Sequence, residues 1–438
     1  MRPFSIRENF TSSFEFEGNH SIDQIKFKKR KSKSLCAIFK AAENKLTIST
    51  SYFIGADWIP GFEKDHWIFV ESKLNKNFNH DTGNEERVID ESKDIVEVDV
   101  LKMLFEALQE PEVRDYTQEL FEIKFDSQWI PLNRKQDLIS PLIMIQFLNL
   151  VKDIVRKGLK KSYYPVEENL YAKVKGKVLV GQTIKHNLVK NKNLNTVCQF
   201  EQFGINGIEN RILKKTLVYI KRYLSTYKGL SHASFFQESF NYIQPAFVDV
   251  SEEVSINDIK HLKFNPFYKN YEKAIELAKL ILQRFSYNLN SIQDQETILT
   301  PPFWIDMSKL FELYVLGKLK KRFPRKNELI YQFGDRANHL DYILNSEGFQ
   351  MVIDAKYKSK YRDRFETSDL RQVSGYARLK KIHGFFGLTE GKLIDCLIIF
   401  PDLENGGNEI PNNLKNGKFE IPEYFGLYKI GLKIPLKG

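Results

Sequence analysis

The 438-residue chain carries 66 Lys and Arg against 56 Asp and Glu, a formal net charge of +10 that is compatible with a polyanionic partner. Hydrophobic residues make up 42% of the sequence, enough for globular cores, but no apolar run reaches the ~18 residues of a membrane span. The polar N-terminus does not predict a signal peptide, and three widely spaced cysteines exclude a disulfide framework or a zinc site, so we expect a cytoplasmic protein.

The first part of the chain, residues 1–160, is predicted to be strand-rich and then helical. Short β-type runs, separated by Gly and Pro, lie at residues 35–39, 46–54 and 66–70. Farther along, apolar residues recur three and four positions apart, which predicts helices. These helices are expected at residues 98–108, 114–123 and 141–156.

The middle part, residues 161–295, is predicted to mix strands and helices. Gly176-x4-Gly181-Gln182 is nearly a phosphate-binding loop, but Gln182 replaces the required lysine and the residues between the glycines are β-type. We therefore expect no nucleotide binding by this chain. The basic segment 173–192 could contact DNA phosphates, or it could be an exposed surface without a ligand. Beyond it, a strand is predicted at 197–203 and amphipathic helices at 210–223 and 267–285.

The final part, residues 296–438, is predicted to be a mixed α/β domain with the order helix, hairpin, helix, strand. Its first helix is expected at 304–320, with Asp306 or Ser308 as the N-cap. The next helix is expected at 368–381, with Ser368 or Asp369 as its N-cap. The predicted strands lie at residues 340–344, 349–357, 393–400 and 424–433.

Two carboxylates and a lysine are predicted to share one face of the hairpin. Asp354 and Lys356 lie two apart on a strand, so their side chains point to the same side. If a four-residue loop pairs Leu344 with Phe349, Asp341 becomes a diagonal neighbour of Asp354. Adjacent carboxylates repel each other unless a cation lies between them, and oxygen ligands beside a phosphate suit Mg²⁺, with Mn²⁺ as an alternative. The pattern indicates phosphodiester hydrolysis, although an isolated Asp-x-Lys on a strand is more often a solvated pair.

Three further polar residues are candidates for the same site. Gln372 and Tyr376 lie four apart and share one helix face, where they could hydrogen-bond a nucleophilic water or a phosphate, or form an ordinary polar edge. Glu312 lies within an apolar helix. It could join the acidic site, or it could face solvent near a helix start that the dipole favours.

These residues resemble the PD-(D/E)xK nuclease superfamily, and more narrowly the McrC family, the nuclease subunit of modification-dependent (5-methylcytosine) restriction systems. Leu340 stands where the family pattern has Pro. A Gly-Lys-Val-Leu-Val segment followed by Glu-Asn-Arg-Ile-Leu-Lys extends the resemblance over about residues 140–400. The matching motifs are Asp341, Asp354-Ala-Lys356-Tyr357 and Gln372-x3-Tyr376.

The resemblance implies an Mg²⁺-dependent DNA endonuclease subunit of an anti-phage restriction complex. In that role Asp341 and Asp354 bind the metal, with Glu312 as a candidate third ligand. Lys356 positions the attacking water, supported by Gln372 and Tyr376. The implied partners are double-stranded DNA and a separate AAA+ GTPase motor. Residues 1–160 would contact the motor, residues 161–295 would contact DNA or a partner, and residues 296–438 would form the nuclease domain.

Two alternatives stay open at this point. The chain could be a non-catalytic adaptor that activates an NTPase and uses the nuclease fold only to hold DNA. It could also be a stand-alone, structure-specific DNA nuclease that cuts without any nucleotide.

Overall fold

The structure is a computed structural model. It describes residues 4–15, 22–28, 34–42, 45–61, 66–75, 97–114, 116, 120–124, 127–133, 138–226, 234–254, 269–289, 297–334, 339–362, 365–389 and 391–437. Its mixed α/β, multidomain architecture confirms the expected fold class.

The chain forms two compact units. The first combines Met1–Asn133 with Ile298–Gly438, and the second is Arg134–Thr297. The sequence-based division at 160 and 295 differs from this in two respects. The helix that ends at Lys157 belongs to the second unit, and the N-terminal and C-terminal parts of the chain share one unit.

The strands of the structure, in chain order, are β1 (Phe4–Arg7), β2 (Thr11–Glu15), β3 (Ile22–Lys28), β4 (Leu35–Ala42), β5 (Lys45–Thr50), β6 (Phe53–Trp58), β7 (Trp67–Glu71), β8 (Phe121–Ile123), β9 (Ile130–Asn133), β10 (Ser162–Tyr171), β11 (Lys177–Val178), β12 (Asn195–Gly204), β13 (Thr297–Thr300), β14 (Phe303–Asp306), β15 (Leu329–Gly334), β16 (His339–Ser346), β17 (Phe349–Ala355), β18 (Asp395–Pro401) and β19 (Leu427–Leu432). The α-helices are α1 (Val100–Ala107), α2 (Pro111–Arg114), α3 (Ile139–Lys157), α4 (Val180–His186), α5 (Ile208–Thr226), α6 (Ser234–Ile243), α7 (Lys269–Leu289), α8 (Met307–Arg322), α9 (Thr367–Ala377) and α10 (Lys380–Phe386).

Two sheets form the N-terminal part of the first unit. One has the strand order β1-β7-β6-β14-β8 and the other β2-β5-β4-β3. Strand β14 comes directly before α8, yet it pairs with β6, and its Trp304 is buried among Ile6, Phe39 and Ile68. This pairing explains why the two ends of the chain form one unit. It also makes the predicted helix at 114–123 wrong, because residues 121–123 pair with β14 as a strand.

The second unit consists of helices and a three-stranded sheet. Helix α3 packs against α6 and α7, and α7 packs against α5, through the apolar faces that their spacing predicts. Strands β10 and β12 form a long antiparallel pair, and β11 adds to β12 at its other edge. The helices predicted from residues 141, 210 and 267 onward are confirmed, with ends that differ by a few residues.

The sheet that carries the candidate site has the order β15-β16-β17-β18-β19. Strands β15, β16 and β17 are antiparallel, whereas β17, β18 and β19 are parallel. The residues Met351–Ile353 and Leu397–Ile399 are fully buried, as expected for strands covered on both faces. Helix α8 packs against β15 and β17, and α9 packs against β17 and β18.

Two helix boundaries decide where side chains of the site lie. Asp306 caps α8, as predicted, and its Oδ1 accepts a hydrogen bond of 3.0 Å from the Lys309 amide. The single helix predicted at 368–381 is wrong, because the extended backbone of Leu379 separates α9 from α10. Glu366 occupies the N-cap of α9 and makes no side-chain capping bond. The predicted N-cap, Ser368 or Asp369, was therefore wrong, because both residues lie inside the first turn of α9.

Candidate active site

The hairpin β16–β17 brings the two aspartates together. It pairs Tyr342 with Ile353 and Ser346 with Phe349, so only two residues form its turn, and Gly348 closes that turn at φ +83°. The predicted four-residue loop was wrong, and the register lies two residues away from the expected one. A shift of two keeps every side chain on its predicted face. Continued by one position, the observed pairing places Asp341 directly opposite Asp354.

The two carboxylates have different partners. Asp341 is partly buried, and its Oδ2 accepts a hydrogen bond of 2.9 Å from the Ala355 amide. Asp354 is 2% exposed, and its Oδ2 lies 2.8 Å from the Lys356 ammonium. That ion pair is the partner of the buried Oδ2, which has no further hydrogen bond among the described residues. A buried carboxylate oxygen held by a single ammonium can also coordinate a cation.

Burial and mutual repulsion perturb the acids of the site. Burial raises the pKa of Asp341 well above its ordinary value, and the carboxylates of Asp354 and Glu312 raise it further. Burial also raises the pKa of Asp354, with Lys356 opposing the rise. For Lys356, burial lowers the pKa, but Asp354 and Asp341 outweigh burial and the pKa is raised. The site thus disfavours two negative charges while it keeps its lysine protonated.

Helix α9 connects to the lysine through a chain of hydrogen bonds. The Lys356 ammonium donates to Gln372 Oε1 at 3.0 Å, and Gln372 Nε2 donates to the Tyr376 hydroxyl oxygen at 2.8 Å. Four-residue spacing on one helix turn produces this second contact. The structure therefore brings Asp341, Asp354, Lys356, Gln372 and Tyr376 into one connected group. Gln372 is exposed and can also reach solvent or a ligand.

Glu312 lies beside this group on α8. Its Oε1 accepts hydrogen bonds from the Tyr331 hydroxyl at 2.7 Å and from the Lys309 ammonium at 3.2 Å. Its charge nevertheless contributes to the raised pKa values of both aspartates. In the structure, Glu312 is thus an ion-paired neighbour of the acidic pair.

Strand β15 is irregular opposite Asp341. Tyr331 pairs with Tyr342 and Phe333 pairs with Leu340, which places Gln332 opposite Asp341. Gln332 has φ +54°, a conformation that costs about 1 kcal/mol or more for a residue with a side chain. Such strain often marks functional sites, and here it occurs on the strand that neighbours the acidic pair.

The donor set fits Mg²⁺ better than a metal that needs a complete protein cage. No group of three or more His, Cys, Asp or Glu within the described residues has the geometry to hold a metal ion. Mg²⁺ usually takes one or two carboxylates and fills its other positions with water and substrate phosphate. Two carboxylates that face each other, one of them paired with the Lys356 ammonium, match that requirement.

A family model, the McrBC 5-methylcytosine restriction system component, matches residues 68–385, well over half of the chain. The chain belongs to the McrBC family. The McrC resemblance stated from the sequence motifs agrees with this membership, and the match runs from β7 through α10.

Solved structures of McrBC complexes show weak similarity to this McrBC family member. A chain in the tetradecameric assembly of Thermococcus gammatolerans McrB AAA+ hexamers with bound McrC is 15% identical, with a TM-score of 0.35. That match covers 90% of this chain and 80% of the other. A chain of the T. gammatolerans McrBC complex is 14% identical, with a TM-score of 0.28 and coverage of 75% and 90%. No curated protein matches.

Sequence reasoning considered Asp369 only as a helix cap and missed it as a further acid beside the site of this McrBC family member. Its Oδ2 accepts hydrogen bonds from the Lys358 ammonium at 2.7 Å and from the Tyr361 hydroxyl. The charge of Asp369 also raises the pKa values of Asp354 and Lys356. A signal was present, because a lysine shortly after a buried strand and an acid in the first turn of the following helix can form an ion pair. Among the described helices, none is long and apolar enough to cross a membrane.

Proposed function

We propose that this chain is the nuclease subunit of a McrBC-like restriction and anti-phage defence complex, a metal-dependent endodeoxyribonuclease that hydrolyses phosphodiester bonds in double-stranded DNA. The convergence of Asp341, Asp354 and Lys356 at one end of the hairpin supports this function. PD-(D/E)xK chemistry requires this combination of two acids and a lysine. The alternative of a non-catalytic adaptor would leave a costly acidic pair without a use.

Each residue of the site has a proposed role. Asp341 and Asp354 would hold Mg²⁺, and Mn²⁺ offers a similar oxygen preference. When bound, the metal would lower the pKa of a water ligand and stabilise charge on the phosphate. Lys356 stays protonated between the acids and Gln372, so it can orient the attacking water and offset developing charge. Gln372 and Tyr376 hold the lysine in that orientation, and Glu312 would contribute negative charge without a direct role.

The proposed partners are double-stranded DNA and a separate AAA+ GTPase motor. The net charge of +10 favours binding to the DNA backbone. Large exposed apolar side chains lie on the sheet of the second unit, where Tyr163, Tyr171 and Phe203 are each more than half exposed. Such a surface fits a protein partner better than a polyanion. Within the region first assigned to DNA or a partner, we therefore favour the motor.

The test is DNA cleavage by the full chain together with a candidate AAA+ GTPase partner. Wild-type protein, GTP and Mg²⁺ are mixed with plasmid DNA that either carries or lacks 5-methylcytosine. We expect cleavage only of the modified plasmid, and only with GTP. Asp354→Asn, which keeps the side-chain shape, should reduce the cleavage rate by about 10³-fold or more.

The matched control is Asp402→Asn. Asp402 is a buried aspartate in the same unit, and its Oδ1 accepts hydrogen bonds from the amides of Glu404 and Asn405, which asparagine can retain. This variant should cleave like the wild type. Full cleavage by a folded Asp354→Asn protein would refute the proposed site. Efficient cleavage without any nucleotide would support a stand-alone nuclease.

A further inference from the structure

Tyr357, the residue after the site lysine, is held by the N-terminal part of the chain. Its side chain is 4% exposed, and its hydroxyl donates to Glu8 Oε1 at 2.8 Å and lies 3.0 Å from Ser72 Oγ. Ser72 Oγ in turn lies 3.3 Å from Glu8 Oε1. These three buried groups form a closed polar triangle between segments that are 349 residues apart at their extremes.

Lys73 makes a second attachment to the same residue. Its ammonium donates to the main-chain carbonyl of Tyr357 at 2.8 Å. The same ammonium lies 4.2 Å from the ring centroid of Tyr52 and 4.4 Å from that of Tyr357. The Lys73 amide also donates to Glu8 Oε1 at 3.2 Å. Both the side chain and the backbone of Tyr357 are therefore fixed by N-terminal residues.

Strand pairing creates this arrangement. β1 and β7 are parallel, with Arg7 opposite Glu71, so the next residues, Glu8 and Ser72, leave the sheet side by side. Glu8 is 1% exposed, and its second oxygen has no hydrogen-bond partner among the described residues. A buried carboxylate of this kind costs stability compared with an apolar side chain of similar size. A functional role would explain why the fold keeps it.

Beyond these contacts, the segment after β17 is attached near the site by main-chain hydrogen bonds and by the Lys358 ammonium, which contacts Glu366 and Asp369. The Lys356 amide donates to the Ile399 carbonyl at 2.9 Å, and the Lys358 amide donates to the Lys356 carbonyl at 2.7 Å. The ammonium of Lys356 must span from Asp354 to Gln372, so a small displacement of its backbone would break one of these contacts. Displacements of about 1 Å can reduce catalytic rates by about 100-fold.

We infer that Glu8, Ser72 and Lys73 form a clamp on Tyr357 that positions Lys356 for the reaction. This inference rests on the proposed nuclease function. Glu8, Ser72 and Lys73 are positioning residues, because they act on the lysine through Tyr357 and touch neither acid of the site. The N-terminal strands, which the sequence suggested only as a partner-binding region, thereby become part of the nuclease machinery.

Two variants loosen the clamp in different ways. Tyr357→Phe removes the hydroxyl and keeps the ring, and Lys73→Met removes the ammonium and keeps most of the stem. The matched control is Tyr314→Phe, which removes another buried tyrosine hydroxyl in the same unit, one that contacts Glu106 and the Lys433 carbonyl. Glu8→Ala removes the acceptor, whereas Glu8→Gln retains Oε1 and should rescue the effect.

The first measurement is amide hydrogen exchange at Lys356 and Lys358. In Tyr357→Phe, Lys73→Met and Glu8→Ala we expect exchange about tenfold faster at these amides, because a fixed anchor is lost. Tyr314→Phe and Glu8→Gln should exchange like the wild type. Unchanged exchange in all clamp variants would overturn the inference, whether or not the chain proves to be a nuclease.

The second measurement is DNA cleavage with the motor, GTP and Mg²⁺. The clamp variants should show kcat lowered about 10- to 100-fold with KM for DNA unchanged, because binding surfaces are intact. Wild-type kcat in folded clamp variants would also overturn the inference. If the wild type itself does not cut, the proposed function fails, and the exchange measurement still decides whether the clamp fixes the lysine segment.

Discussion

The substitution Asp341→Asn should inactivate the site and at the same time stabilise the metal-free protein. Asp341 faces Asp354 across the hairpin, and directly opposed residues have Cβ atoms about 4.5–5.5 Å apart. Two unit charges about 5 Å apart repel by roughly 3 kcal/mol at an effective dielectric constant of about 20. The Ala355 amide and the Lys356 ammonium already offset part of this repulsion. We therefore expect a gain of about 1–2 kcal/mol in the free energy of unfolding.

The stability difference between Asp341→Asn and the wild type should change with pH in a defined direction. Burial raises the pKa of Asp341, and also that of Asp354, so the folded state binds these protons more tightly than the unfolded state. Stability from such a group is present below its unfolded pKa and is lost as pH rises through the folded pKa. Asp341→Asn removes one such group. The stability advantage of the variant should therefore grow as pH rises from about 4, the ordinary aspartate pKa, into the neutral range.

The assay is thermal and urea unfolding in EDTA over this pH range. An advantage of 1 kcal/mol corresponds to about 2–4 °C in Tm for a unit of this size. Excess Mg²⁺ should make the wild type the more stable protein. At a Mg²⁺ concentration about 100 times the Kd, binding adds about 2.7 kcal/mol to the stability of the wild type and little to that of the variant. Asp402→Asn, a buried aspartate that caps a turn, should show neither effect. An Asp341→Asn protein that is less stable than the wild type in EDTA, or whose advantage shrinks as pH rises, would refute the reasoning.

Three further predictions concern the lysine, the helix and the N-terminal sheet. Lys356→Met should lower kcat for DNA cleavage about 100-fold or more, with DNA affinity unchanged in a gel-shift assay; a parallel loss of affinity would assign the lysine to binding instead. Tyr376→Phe should lower kcat only about 3- to 10-fold, since the ring can still pack and Gln372 still reaches Lys356; a loss as large as that of Lys356→Met would make the tyrosine a direct participant. Gly55→Ala should lower the free energy of unfolding by about 2–3 kcal/mol in urea, because the added Cβ would lie 2.0 Å from the Phe303 carbonyl oxygen, and a neutral effect would contradict the close pairing of β6 and β14.

Much of the candidate site could be predicted because its motifs are local. Asp354 lies at the end of β17 and Lys356 follows directly after its last residue, and Gln372 and Tyr376 occupy successive turns of one helix. Period-2 and period-3.6 patterns determine such placements without knowledge of the rest of the fold. The side of the sheet that Asp341 occupies was also predictable, since a register error of two residues leaves each side chain on the same face of the sheet. The residue that stands opposite Asp341 could not be predicted, because it depends on the length of the turn that Gly348 closes.

Contacts between distant segments could not be predicted in this way. The two units were not apparent, because β14 joins a sheet whose other strands lie more than 150 residues earlier in the chain. The strand at Phe121–Ile123 was mistaken for a helix for the same reason, since β14 supplies its hydrogen bonds. The position of Asp369 in the sequence suggests a helix cap, but in the structure its carboxylate accepts hydrogen bonds from Lys358 and Tyr361.

The sequence alone thus determined the identity of the acids and the lysine, their order and the elements that carry them, since hydrophobic periodicity and turn residues act over a few positions. Only the tertiary structure decided that Glu8, Ser72 and Lys73 hold the residue beside that lysine. Nothing local encodes a contact across 349 residues; it arises because the parallel strands β1 and β7 end side by side where Tyr357 is buried.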